Sequence, residues 1–219
     1  MAKANYGNLP INHSDEPIRL FDSDALEFFT HIHPGVVLLL YVPVVLFCLW
    51  SGVAARLPGD SWTPIWGGYL AGLFVWTLSE YLLHRFLFHY EPTKPWLKRV
   101  WYLIHGVHHE QPQCKTRLVM PPILSIPMAL AFYGFFHLLV GTVIGAPRWT
   151  APLFAGFVTG YVIYDMTHYA THHLAMSWGF LKFLKRYHLL HHYKTPDDRF
   201  GISSPLWDHV FGTRPPKER

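Results

Sequence analysis

GGYLAGLFVWTLSEYLL (residues 67–83) runs straight into HRFLFH (residues 84–89). The first stretch carries Glu80 as its one charge, and with Ile65 and Trp66 ahead of it gives an apolar segment over 65–83. A membrane-spanning helix needs about 20 apolar residues and tolerates about 17. The chain therefore places two imidazoles and a guanidinium where hydrocarbon gives way to water.

Three further apolar stretches cover 36–55, 122–144 and 149–164. The first two are long enough to span. The last, flanked by Pro147 and Pro152, is short. It reads either as a tilted half-span continuing into the polar YDMTHYATHH (164–173) or as a re-entrant element. Pro43 and Pro127 fall inside spans, where neighbouring helices can re-satisfy a freed carbonyl. Ahead of the first span, DSDALEFFTHIH (22–33) offers Asp22 or Ser23 as a cap and Leu26, Phe29 and Ile32 along one face, the pattern of an interfacial helix.

Composition agrees with lipid. Of 219 residues, 51% are hydrophobic and 17% aromatic, but only 15% are charged, against about 25% in soluble domains. The net charge of +4 does not indicate nucleic acid as a partner, because the basic residues flank apolar runs. Cys48 and Cys114 are the only cysteines, which excludes a disulfide framework. The polar N-terminus, MAKANYGNLPINHSDEPIRLFD, has no cleavable signal pattern.

Lys and Arg set the orientation. Segments 1–35, 84–119 and 165–219 hold 16 of the 18, and the other two are Arg56 and Arg148. With four spans those three segments share one side, which the positive-inside rule makes cytoplasmic. The expectation is an all-α integral membrane protein of about four transmembrane helices (36–55, 65–83, 122–144, 149–164). Segments 84–121 and 165–219 are then expected on the cytosolic side. The chain then divides into an N-terminal segment, 1–35, and one domain, 36–219, with both termini cytoplasmic.

Of 16 histidines, 12 fall in the two large cytoplasmic segments. Eleven form four groups: His84 and His89; His105, His108 and His109; His168, His172 and His173; His188, His191 and His192. Residues three and four apart share a helix face. Within a group, His105 with His108 and His109, His168 with His172, and His188 with His191 and His192 can each converge on one point. His84 and His89 are five apart, about 140° around an α-helix. They need different metals or a helix end between them. His13, His31, His33 and His137 read as satisfied structural residues, and His209 is ambiguous. Ten or eleven imidazoles are too many for one zinc, which takes four ligands or three plus water. Two ions with about five imidazoles each leave open positions of the kind iron uses for O2. No Glu-x-x-His pair of the soluble di-iron bundles is present.

The segments SEYLLHRFLFH, HGVHHEQPQCKTRLVMPP, YDMTHYATHH and RYHLLHHYKTPDDRFGISSPLWDHVFGT together resemble the fatty acid hydroxylase superfamily, and within it the fatty acid 2-hydroxylases. The likeness covers roughly residues 30 to 214. It implies a four-helix membrane base with a cytosolic cap and two metal ions, iron natively and zinc as a substitute on overexpression. The ligands it implies are His84, His89, His105, His108, His109, His168, His172, His188, His191 and His192. His173 belongs to the motif, but His172 has the i+4 spacing from His168, so His173 is expected behind the ligands. The implied activity is O2-dependent hydroxylation at C2 of a long acyl chain, free or in a ceramide-like lipid. Fungal and animal members carry an N-terminal cytochrome b5 domain, which this sequence does not show. HPG (33–35) is similar to that domain's haem motif, but too little surrounds it to hold haem. Electrons are therefore expected from a separate donor, such as cytochrome b5 or a ferredoxin with its reductase. The membrane would be the endoplasmic reticulum in a eukaryote and the inner membrane in a bacterium.

Glu80 and Asp165 precede His84 and His168 by four and three residues, placing both to support ligands. The plainer roles are capping a span end and starting a helix. Tyr164, four before His168, is a candidate for the substrate channel. Trp96, Trp101, Tyr102, Phe180, Phe183 and Trp207 crowd the boundary as entrance or headgroup anchors. A sterol oxidase/desaturase or carotenoid hydroxylase is the alternative within the superfamily. A metal transporter or metal-binding membrane protein is the alternative from another class.

Overall fold

In the computed structural model, residues 10–90 and 92–215 are described. Lys3, Lys217 and Arg219, counted above for orientation, lie outside them, as does the start of the N-terminal segment. The elements are α1 (Asp24–Phe28), α2 (Pro34–Ala54), α3 (Thr63–Leu82), α4 (Pro95–Trp101), α5 (Val107–Glu110), α6 (Pro122–Phe136), α7 (Pro147–His173), α8 (Gly179–Tyr193) and α9 (Leu206–Val210). Wider π-helical turns follow α3 (Leu83–Phe88), α4 (Tyr102–Gly106) and α6 (His137–Val143). The protein is all-α, as expected.

The chain forms two compact units. The first is Pro34–Thr77 with Met120–Asp165. It is apolar outside: Leu39, Phe47, Trp66, Leu70, Leu130 and Val143 are all more than 60% exposed. Such a surface is costly in water and natural in lipid. Two helices among the described residues are long and apolar enough to cross a membrane, Pro34–Ala54 and Pro122–Val143, with mean hydropathy 2.5 and 1.9. The fourth apolar stretch continues into the polar segment, as the first of its two readings expects. It is part of one unbroken 27-residue helix, α7, that carries on through YDMTHYATHH.

Glycine sets how closely α3 and α7 pack. A Cβ on Gly72 would sit 2.0 Å from the Leu153 carbonyl oxygen, and one on Gly156 would sit 1.9 Å from that of Tyr69. The two backbones therefore touch, the close approach that small residues four apart permit between helices in lipid. Gly68 and Gly160 extend the seam on either helix. Beside it Trp76 packs on Phe157, Tyr161 and Tyr164, with ring centroids 5.0, 5.5 and 5.7 Å away. Two polar pairs lie inside the unit: the Tyr41 hydroxyl donates to Ser125 (2.7 Å), and the Tyr161 hydroxyl to Asp165 (3.0 Å).

The second unit draws on Met1–His33, Leu78–Val119 and Met166–Arg219. Its N-terminal strap lies along residues 110–117. Backbone bonds join Asn12 to Glu110 and Ile32 to Thr116, both 2.7 Å. The Gln111 side chain accepts from Ile18 N–H and donates to the Glu16 carbonyl. Buried Arg117 pairs with Glu27 and donates to the Ile18 carbonyl. The expected interfacial helix shrinks to the five residues of α1, within which Glu27 accepts from Leu20 and Phe21 N–H (2.9 Å each). Leu26, Phe28 and Phe29 stay exposed. Among the boundary aromatics, Trp96 and Phe180 are exposed, whereas the Trp101 indole donates to the Phe88 carbonyl (2.8 Å) and Tyr102 to Glu110 (2.8 Å). Phe183 packs on Tyr187, and Trp207 on Phe211. Cys48 and Cys114 are free thiols.

Candidate metal centre

Ten buried histidines of the second unit form two clusters of five. His84, His89, His105, His109 and His191 make the first; His108, His168, His172, His188 and His192 make the second. Within each, one ring nitrogen per residue lies within 4.8 Å of all the others.

Local backbone explains the sorting. His84 and His89 were expected to serve different metals or to flank a helix end. The π-turn at Leu83–Phe88 removes the conflict: His89 N–H donates to the His84 carbonyl (3.1 Å), an i+5 bond that widens the turn and brings both rings to one side. Their centroids are 4.8 Å apart. The HxxHH groups, expected to converge on one point each, instead split. In HGVHH the i, i+4 pair His105 and His109 joins the first cluster and His108 the second. In HLLHH the pair His188 and His192 joins the second and His191 the first. Neighbouring residues on a helix point about 100° apart, so each such segment can serve two adjacent centres.

The Nε2 atoms of neighbouring rings approach one another head to head. His84 and His109 lie 3.2 and 3.1 Å from His105, and His89 lies 3.1 Å from His191. In the second cluster His168–His108 and His172–His188 are 2.9 and 2.8 Å apart. Two ligands at right angles, each about 2.0–2.1 Å from one ion, are separated by about 3.0 Å. Among the described residues, both ring nitrogens of His192 are buried without a hydrogen-bond partner. Buried polar groups in that state call for a further occupant. The donor set fits metal ions at both positions. Burial holds all ten imidazoles below their ordinary pKa, and repulsion between rings adds to it at every one but His84. His84 is pushed down to about 4 and His108 to about 3. They are neutral at neutral pH, the form in which imidazole binds metal.

His173 belongs to neither cluster; it is half-buried, with its ring 4.7 Å from Tyr169. Glu80 is buried and accepts from Ile202 N–H (2.7 Å), Ser203 N–H (2.8 Å) and the Ser203 hydroxyl. Asp165 is buried in the membrane unit, where it accepts from Met120 N–H (3.3 Å) and Tyr161; its bonds serve that unit's interior rather than an imidazole. Tyr164 is buried against Trp76. His31, bonded to Thr116 (2.8 Å), and His13, stacked on Tyr193, have the structural roles expected of them.

Sequence reasoning missed the groups that orient two of the ligands. His84 Nδ1–H donates to the Phe200 carbonyl (2.5 Å) and His191 Nδ1–H to that of Asp198 (2.6 Å). Each bond leaves the Nε2 lone pair free to face the cluster. Backbone carbonyls have no signature in composition; the one available signal was that DDRFG and WDHVFGT adjoin the last histidine group.

The family model for fatty acid hydroxylases matches residues 69–213. The chain belongs to the fatty acid hydroxylase family. It is 39% identical, over 94% of its length and 83% of the relative's, to a dihydroceramide fatty acyl 2-hydroxylase of Arabidopsis thaliana. It is 36% identical to the fatty acid 2-hydroxylase of Rattus norvegicus, over 92% of this chain and 58% of that one. The solved structure of full-length scs7p, in which only the hydroxylase domain is visible, superposes with a TM-score of 0.80 at 36% identity, covering 89% of this chain and 71% of that one. Family membership accounts for lipid-facing helices and two polyhistidine clusters in one polypeptide.

Proposed function

We propose that this fatty acid hydroxylase inserts hydroxyl at C2 of a long acyl chain, free or amide-linked in a ceramide-like lipid. It uses O2, two iron ions and electrons from a separate donor protein such as cytochrome b5 or a ferredoxin. The observation that carries the reading is the pair of five-imidazole clusters in a chain whose relatives are named fatty acyl 2-hydroxylases. His84, His89, His105, His109 and His191 would hold one ion, and His108, His168, His172, His188 and His192 the other. Bound there, the two ions supply the O2-dependent redox chemistry that an unactivated C–H bond requires.

The chain's own part is preorganisation. Burial keeps the ligands neutral and water away, and the Phe200 and Asp198 carbonyls fix two of the rings. Residues 36–219 act as the hydroxylase domain. The helices α2, α3, α6 and α7 span the membrane, with the basic segments and the metals on the cytoplasmic face. For α3 this is supported by Trp66, Leu70 and Phe74, an exposed apolar stripe at four-residue spacing. Held by the basic cytoplasmic rim, a carboxyl or amide head leaves C2 nearest the metals whatever the tail length. Feeding acids of several lengths to cells expressing the chain and mapping the product by mass spectrometry tests this. A hydroxyl that moves with chain length, or lies near the methyl end, would refute C2 selectivity.

A further inference from the structure

We propose that the loop 198–213 is a positioning device that sets the metal affinity of the first cluster separately from the second, through a relay from Asp208 to His84. The inference rests on the two-ion reading above.

The loop presents carbonyls to the metal site and N–H groups to buried carboxylates. Phe200 and Gly201 N–H donate to Asp208 Oδ1 and Oδ2, both 2.8 Å, and the Thr213 hydroxyl donates to Oδ1 (2.7 Å). Ile202 and Ser203 N–H continue the series onto Glu80. Four consecutive amides therefore end on two carboxylates from different parts of the chain. The peptide group between Phe200 and Gly201 does both jobs at once. Its oxygen accepts from His84 Nδ1–H (2.5 Å), and its N–H donates to Asp208 (2.8 Å). Hydrogen bonds in such a chain polarise one another. The negative charge of Asp208, itself fully buried, thus reaches the His84 ring across one amide and strengthens it as a ligand.

Two backbone features exist to build this relay. Gly201 lets the carboxylate in: a Cβ there would lie 2.1 Å from the Ser204 carbonyl oxygen and 2.9 Å from Asp208 Oδ2. Arg199 has φ +62°, the only positive φ at a non-glycine residue among those described. The left-handed turn allows the Asp198 and Phe200 carbonyls to serve two rings of one cluster, His191 and His84. Strain of this kind persists where surrounding structure enforces it. Here Arg199 N–H is tied to the Thr213 carbonyl (2.9 Å), and its guanidinium bonds Thr195. In the second cluster, Nδ1 of His172, His188 and His192 has no hydrogen-bond partner among the described residues. The two rings that the loop's carbonyls hold, His84 and His191, both belong to the first cluster.

The test is metal release from the purified full-length chain in detergent, read as metal-to-protein ratio against time in excess chelator, with circular dichroism for folding. Asp208→Asn is close to isosteric; with its oxygen facing Phe200 and Thr213 it removes the negative charge and sets an NH2 group against Gly201 N–H, which breaks the relay. It should bind one of its two ions about 10–100-fold more weakly, with the other released as in wild type. Glu80→Gln loosens the same loop without touching the relay and should change release less. Asp208→Asn with wild-type release of both ions, equal weakening of both, or a smaller effect than Glu80→Gln would overturn the proposal. Wild-type protein holding fewer than two ions would instead overturn the two-ion reading beneath it.

Discussion

Replacing Gly72 with alanine tests the seam between α3 and α7. The added Cβ would lie 2.0 Å from the Leu153 carbonyl oxygen and 2.7 Å from Phe157 N, where ordinary contact begins at 3.4 Å. Both obstacles are backbone, so no side chain can swing aside, and the helices must separate by roughly 1.4 Å. Overpacking of this kind costs about 1–3 kcal/mol. The upper end applies to an immovable neighbour, while alanine's better helix propensity returns about 1 kcal/mol. The net loss of about 2 kcal/mol corresponds to a fall in Tm of about 4–8 °C for a chain of this size. Gly134→Ala is the control, since a Cβ added there would meet nothing within 4 Å and only the propensity gain remains. Its Tm should hold or rise by about 2–4 °C. Gly156→Ala reports the same crossing from the other helix, with its Cβ 1.9 Å from the Tyr69 carbonyl oxygen. The Gly72/Gly156 double variant should therefore lose less than the two singles added together. Thermal melts of detergent-purified protein decide it. If Gly72→Ala melts at or above Gly134→Ala, the helices are not in backbone contact.

His188→Ala or His108→Ala, each removing one imidazole of the second cluster, should abolish turnover and lower metal content while helicity persists; full hydroxylation by either variant would remove that cluster from the reaction. Stripping the metals should lower Tm, because buried imidazole lone pairs are left facing one another, and ferrous iron or zinc should restore it; an unchanged Tm on chelation and refilling would argue against tight binding at these clusters. Glu27 supplies a pH dependence. Burial opposes its ionisation, but the N–H groups of Phe21 and Leu20 and the charge of Arg117 outweigh burial and hold the carboxyl below its usual value. Its contribution is therefore complete above the unfolded-state value of about 4.3 and is lost as pH falls through the lower folded value. Hydrogen exchange in residues 18–31 should quicken over that acid window, and Glu27→Gln should abolish the step; a step that survives the substitution belongs to another group.

Sequence by itself determined the membrane character, the helical class, the four histidine groups and, through their order, the family. These properties are carried by composition and by short-range spacing, which a linear chain displays directly. The partition of ligands was a tertiary decision. An α-helical count keeps His84 and His89 apart and draws His105, His108 and His109 together, yet the π-turn at Leu83–Phe88 and the packing of the ring-bearing helices reverse both. The roles of the carboxylates also waited for the fold. Three residues before His168, Asp165 bonds within the membrane unit, while Asp208, distant in sequence from His84, reaches it through a single peptide group. Spacing along a helix reports which side chains share a face. It does not report which backbone amides a turn such as that at Arg199 will aim at them, because that depends on contacts between residues more than a hundred positions apart.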